Sequence, residues 1–73
     1  MNIKTVSKRM RITINKETKA RKFIHLLCPI NKIEMVWLND VYLEWYEYTY
    51  NPQFIAISQD LHPNDTIIIE YTD

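Results

Sequence analysis

Not one of the 73 residues is glycine. Glycine takes positive φ without a steric penalty, so it normally supplies hairpin turns and helix C-caps. A glycine-free chain must reverse direction with asparagine, aspartate and proline, which tolerate or preset turn geometry better than other residues. They gather in four places: "INK" after Pro29, "ND" at 39–40, "NP" at 51–52 and "LHPND" at 61–65. These points cut the chain into segments of strand or helix length.

The first segment, "RMRITIN", alternates Met10, Ile12 and Ile14 with Arg11 and Thr13, the period of a half-buried strand. In "KETKARKFIHLLCP", Ala20, Phe23, Ile24, Leu27 and Cys28 recur at i, i+3, i+4, i+7 and i+8. That is one face of a helix, with Lys19, Arg21, Lys22 and His25 opposite. The spacing predicts a helix over 16–28, with Asn15 as N-cap and Pro29 as stop. A strand over "KFIHLLC" is the competing reading. From Ile33 onward the period is two: "IEMVWL", "VYLEWYEYTY" and "QFIAIS" predict an antiparallel meander, and "TIIIEYTD" a closing strand. The expected fold is α+β, one helix packed on a mainly antiparallel sheet of about four or five strands, with a small all-β barrel as the alternative. Residues 1–73 read as one domain, near the lower size limit for a single unaided core.

Charge is sorted along the chain. Residues 1–31 hold eight cations (Lys4, Lys8, Arg9, Arg11, Lys16, Lys19, Arg21, Lys22) against Glu17, a balance of +7. Residues 32–73 hold eight acids (Glu34, Asp40, Glu44, Glu47, Asp60, Asp65, Glu70, Asp73) against Lys32, a balance of −7. The domain thus divides into a basic strand–helix part, about 1–31, and an acidic β part, about 32–73. Such asymmetry points to charged partners unless the halves neutralise each other on folding. No apolar run is long enough for a membrane helix, no signal-peptide pattern opens the chain, and the single Cys28 suits a reducing compartment. These features lead us to expect a cytoplasmic protein without a membrane partner.

The densest stretch is "NDVYLEWYEYTYNP", residues 39–52, with four tyrosines, a tryptophan and three acids but no cation. As a strand it puts Val41, Leu43 and Trp45 on an inward face and Tyr42, Glu44, Tyr46 and Tyr48 on an outward one. Glu47 breaks the alternation, so a bulge or strand end is expected after Trp45. An outward ladder of tyrosine and acid suits a protein interface. Its acids would repel phosphates and attract a basic partner.

Catalytic chemistry has little to build on. Cys28 with His25 is the one nucleophile–base pairing, and a cysteine on an apolar stripe is most often a small buried hydrophobe. Asp60, His62 and Asp65 share a loop, but they read as turn residues, since zinc sites want convergent Cys and His at defined spacing. Phosphate-cradling loops require glycine. No cofactor and no metal are expected.

The first functional expectation is a small non-enzymatic inhibitor, of the kind carried by phages and mobile elements. It would mimic nucleic acid by presenting Glu34, Asp40, Tyr42, Glu44, Tyr46, Glu47 and Tyr48 to a basic, nucleic-acid-binding protein. The alternative is direct, sequence-independent nucleic-acid binding through Lys8, Arg9, Arg11, Lys19, Arg21 and Lys22. A third is a homo-oligomer or structural subunit, with the basic face of one copy against the acidic face of the next.

Overall fold

The computed structural model describes residues 8–16 and 23–72. Among them lie seven strands: β1 (Lys8–Thr13), β2 (Ile24–His25), β3 (Lys32–Leu38), β4 (Val41–Leu43), β5 (Tyr48–Tyr50), β6 (Phe54–Ile57) and β7 (Thr66–Thr72). A 3-10 turn, Trp45–Glu47, separates β4 from β5. One sheet runs β1-β7-β3-β4 and the other β2-β6-β5. Every pairing is antiparallel. Of the described residues, 54% are strand and 7% helical, and among them there is no helix of seven residues and no closed barrel. The helix-on-sheet expectation and the barrel alternative are both corrected: this is an antiparallel β fold of two open sheets.

Alternation builds the core. Met10 and Ile12 of β1, Ile67, Ile69 and Tyr71 of β7, and Leu43 of β4 face inward. On β3, Ile33, Val36 and Leu38 are buried, which strict alternation forbids. A register shift between Ile33 and Met35 resolves this, because Glu34 becomes the extra residue of a bulge and the strand changes parity there. Ile24 and Ile55 of the second sheet join the same buried cluster. Each wholly buried isoleucine contributes about 1.5–3 kcal/mol of transfer free energy.

The expected helix over 16–28 fails on its described part. A helical face would bury Phe23 and Leu27, yet they are 53% and 69% exposed, while Ile24 and Leu26 are buried. The period is two. Ile24 and His25 pair with Ile55 and Phe54, and Leu26 N–H and Ile30 N–H donate to the Gln53 and Pro52 carbonyls (2.8 and 2.9 Å). Sheet pairing therefore takes the backbone groups that a helix would have used internally. Residues 17–22, with the basic residues Lys19, Arg21 and Lys22, lie outside the described residues.

The meander is also interrupted. β3 and β4 form one hairpin and β5 and β6 another, but β4 and β5 belong to different sheets. The break falls at Glu44, where the Glu47 carboxylate accepts from the Glu44 N–H (2.7 Å) and the Glu47 N–H donates to the Glu44 carbonyl (2.9 Å). These two bonds close a turn in place of the ladder.

Asparagine and aspartate do the turning. Among the described residues, Asn39, Asp40 and Asn64 are the ones at positive φ, at 50°, 67° and 76°. Leu38 pairs with Val41 across Asn39–Asp40, a two-residue hairpin whose two central residues both need positive φ. The Asn39 side chain then ties this hairpin to the start of β7. Its Nδ2 donates to Asp65 Oδ1 (3.0 Å), and its Oδ1 accepts from the Thr66 N–H (2.9 Å). No described helix is long and apolar enough to cross a membrane.

Candidate functional site

The seven residues expected at a partner interface do not form one ladder. Glu34 is the bulge residue of β3, and Asp40 is in the β3–β4 turn. Tyr42 lies on the outward face of the larger sheet, its ring 6.1 Å from that of Trp37 and edge-on to it. Glu44 opens the 3-10 turn, and Tyr46 sits within it. Tyr48 turns the other way and packs against the core. Partial burial, with Tyr42 and Tyr50 beside it, pushes the Tyr48 phenol above the usual tyrosine range.

The expected inward set is corrected as well. Leu43 is buried, but Val41 and Trp45 are exposed. Val41 follows the hairpin directly at the start of a three-residue strand. Trp45 loses its inward parity because the 3-10 turn ends the alternation one residue earlier. It becomes 77% exposed, and Tyr46 beside it is 68% exposed. Their rings meet edge to face at 5.7 Å. Two large aromatics held in solvent on one turn are unusual, since such surface is normally withdrawn from water. A shallow cleft of about 230 Å³ adjoins Tyr46, running past Tyr48 and Thr49 to Ala56 and Ile57.

The acids divide by task. Glu47 is committed to the fold: besides the Glu44 N–H it accepts from Gln59 Nε2 (3.3 Å), and its carbonyl accepts from the Ser58 N–H and hydroxyl (3.0 and 2.9 Å). Asp65 accepts from Asn39 and from the His62 N–H (2.8 Å), and these bonds, with the His62 charge, hold its carboxyl below the ordinary range. Glu70 accepts from the Arg9 guanidinium (3.1 Å). That pair joins the basic first strand to the acidic last one, so part of the charge asymmetry is neutralised across β1 and β7. Glu34, Asp40 and Glu44 are exposed.

Of the basic set, Lys8, Arg9 and Arg11 are on β1. His25 and Cys28 do not act on each other in the bonds they make. His25 Nδ1 donates to the Leu26 carbonyl (2.9 Å), and Cys28 Sγ lies 3.3 Å from the Tyr71 hydroxyl. Cys28 is exposed, not on a buried stripe. Among the described residues, no group of three or more His, Cys, Asp or Glu could hold a metal ion.

Sequence reasoning missed the outward Trp45. The signal was present in "EWYE", where acids three apart can close a turn through the first residue's N–H. No protein-family model matches the chain, and no curated protein is similar to it at a significant level.

Proposed function

We propose that this chain is a non-enzymatic binding protein that occupies a basic surface of a nucleic-acid-handling partner. The observation that carries the reading is the exposed Trp45–Tyr46 pair. It stands in an eleven-residue stretch, 40–50, that contains Asp40, Glu44 and Glu47 and no cation. Aromatic anchors of this kind dominate binding energy at protein interfaces, and truncating one typically costs about 2 kcal/mol or more. The flanking Asp40 and Glu44 select a cationic partner and speed its approach, more than they add affinity. The cleft beside Tyr46 accepts an apolar side chain from that partner. Carboxylates at Glu34, Asp40 and Glu44 stand where phosphates of a bound strand would otherwise lie, so the chain acts as an inhibitor that competes with nucleic acid.

The test is quantitative capture from lysate with four baits: the wild type, Trp45→Ala, Tyr46→Ala and Glu44→Lys. A basic protein retained by the wild type, reduced at least tenfold by either aromatic truncation and weakened by Glu44→Lys, supports the reading. A partner held equally by all four baits removes this turn from contention.

A further inference from the structure

The outward face of the four-stranded sheet carries a second surface, separate from the Trp45–Tyr46 turn. With Met10, Ile12, Val36, Ile67 and Ile69 turned inward, their neighbours must face out. The ladder registers align Arg11, Ile68, Trp37 and Tyr42 in one rung across all four strands. The adjacent rung holds Arg9, Glu70 and Met35. The Arg9 guanidinium lies over the Trp37 ring, 5.6 Å from its centre, and Tyr42 meets the same ring edge-on. Met35 and Tyr42 are 42% and 48% exposed. A cleft of about 210 Å³ opens between Arg9, Trp37, Ile68 and Asp40.

We propose that this face binds single-stranded nucleic acid, with one base stacked on Tyr42, a second on Trp37 once the Arg9 guanidinium swings off that ring, and phosphates along β1 at Arg9 and Arg11. The chemistry is that of a stacking platform beside a cationic edge, which every base can use because every base has a π-face. Glu70 occupies part of the Arg9 guanidinium, which has five N–H donors and keeps others for a phosphate oxygen. Asp40, at the opposite rim, repels the backbone and so fixes which side the phosphates take. A duplex cannot use the platform, since its bases are already stacked on each other. Trp45 and Tyr46 take no part, and Asp40 is the one residue that both proposed surfaces use, so losses at Arg11 and Trp37 on the one hand and at Trp45 on the other tell the two readings apart.

The experiment uses the full chain with Trp45→Phe, which leaves Trp37 as its one tryptophan. It is titrated with a twelve-nucleotide thymidine strand and with a duplex of equal length at low salt. The expected result is saturable quenching of Trp37 by the single strand and none by the duplex. The logarithm of affinity should fall against that of salt with a slope of about −1.4, the value for two neutralised phosphates on a single strand. Arg11→Glu should weaken binding about tenfold or more, Trp37→Ala about tenfold through the lost stack, and Asp40→Asn should strengthen it. Arg11 is exposed, so its variant keeps the fold even if Trp37→Ala does not. Unchanged Trp37 emission, equal binding of duplex, or indifference to Arg11→Glu overturns the proposal.

Discussion

The turn at Asn39 offers a direct experiment on how a glycine-free chain holds its hairpins. Asn39→Ala places a β-carbon without a helpful amide at φ 50°, in the left-handed region. That costs about 1 kcal/mol, the low end of the left-handed penalty because asparagine itself is only partly exempt. The same change removes the acceptor for the Thr66 N–H, worth about 1 kcal/mol net. The expected loss is therefore about 2 kcal/mol. Asn39→Gly removes the same side-chain bonds but accepts the backbone angle, so its loss should be about 1 kcal/mol. Urea unfolding followed by far-UV circular dichroism measures both. With a slope of about 1 kcal/mol per molar for so small a chain, the midpoints fall by about 2 M and about 1 M. Asn64→Gly is the control, since Asn64 has φ 76° and its main-chain N–H donates to the Ile14 carbonyl (2.7 Å); it should stay within about 0.5 kcal/mol of the wild type. The Asn39 bond also lowers the Asp65 pKa. A lowered carboxyl contributes stability above its unfolded value and loses it as pH falls through its folded value, so the Asn39→Ala deficit narrows in acid below 3.8. Equal losses for alanine and glycine would refute the positive-φ argument, and no loss for either would refute the tie to β7.

Two further outcomes follow from the site. Glu47→Ala should destabilise by about 1–2 kcal/mol in chemical unfolding, because it frees the Glu44 N–H and Gln59, while a Glu44→Ala change stays within about 0.5 kcal/mol. Tyr48 has a folded pKa raised above 10.0, so its contribution is complete below that pH and is lost as pH rises through the folded value. A Tyr48→Phe variant should then show a flatter fall of thermal midpoint above pH 10 than the wild type.

Strand positions with one apolar face were legible in the sequence. Met10, Ile12 and Ile14 alternate and are buried, and the turn at Asn39–Asp40 stands where a glycine-free chain needed one. Residues 23–28 misled because Phe23, Ile24, Leu27 and Cys28 fit a helical face as well as Ile24 and Leu26 fit a strand, and a short apolar run does not distinguish the two periods. Backbone pairing with Gln53 and Pro52 decided it, and that partner is distant in sequence. β3 was ambiguous for a different reason: Met35 and Trp37 are as apolar as Val36 and Leu38, so only the bulge at Glu34 says which face is core. At the candidate site, Tyr42, Glu44 and Tyr46 are outward as alternation predicts, whereas Trp45 and Tyr48 exchange faces once the turn ends the strand.

The proposed contact of residues 40–50 with a basic protein can be trapped covalently. The measurement is photocrosslinking from a benzophenone side chain at position 45, in cell extract with and without added DNA. A discrete adduct with a basic protein should form from position 45 but not from a control at exposed Gln53, and DNA should suppress it. Adducts that are absent, equal at both positions, or indifferent to DNA would contradict the proposed contact.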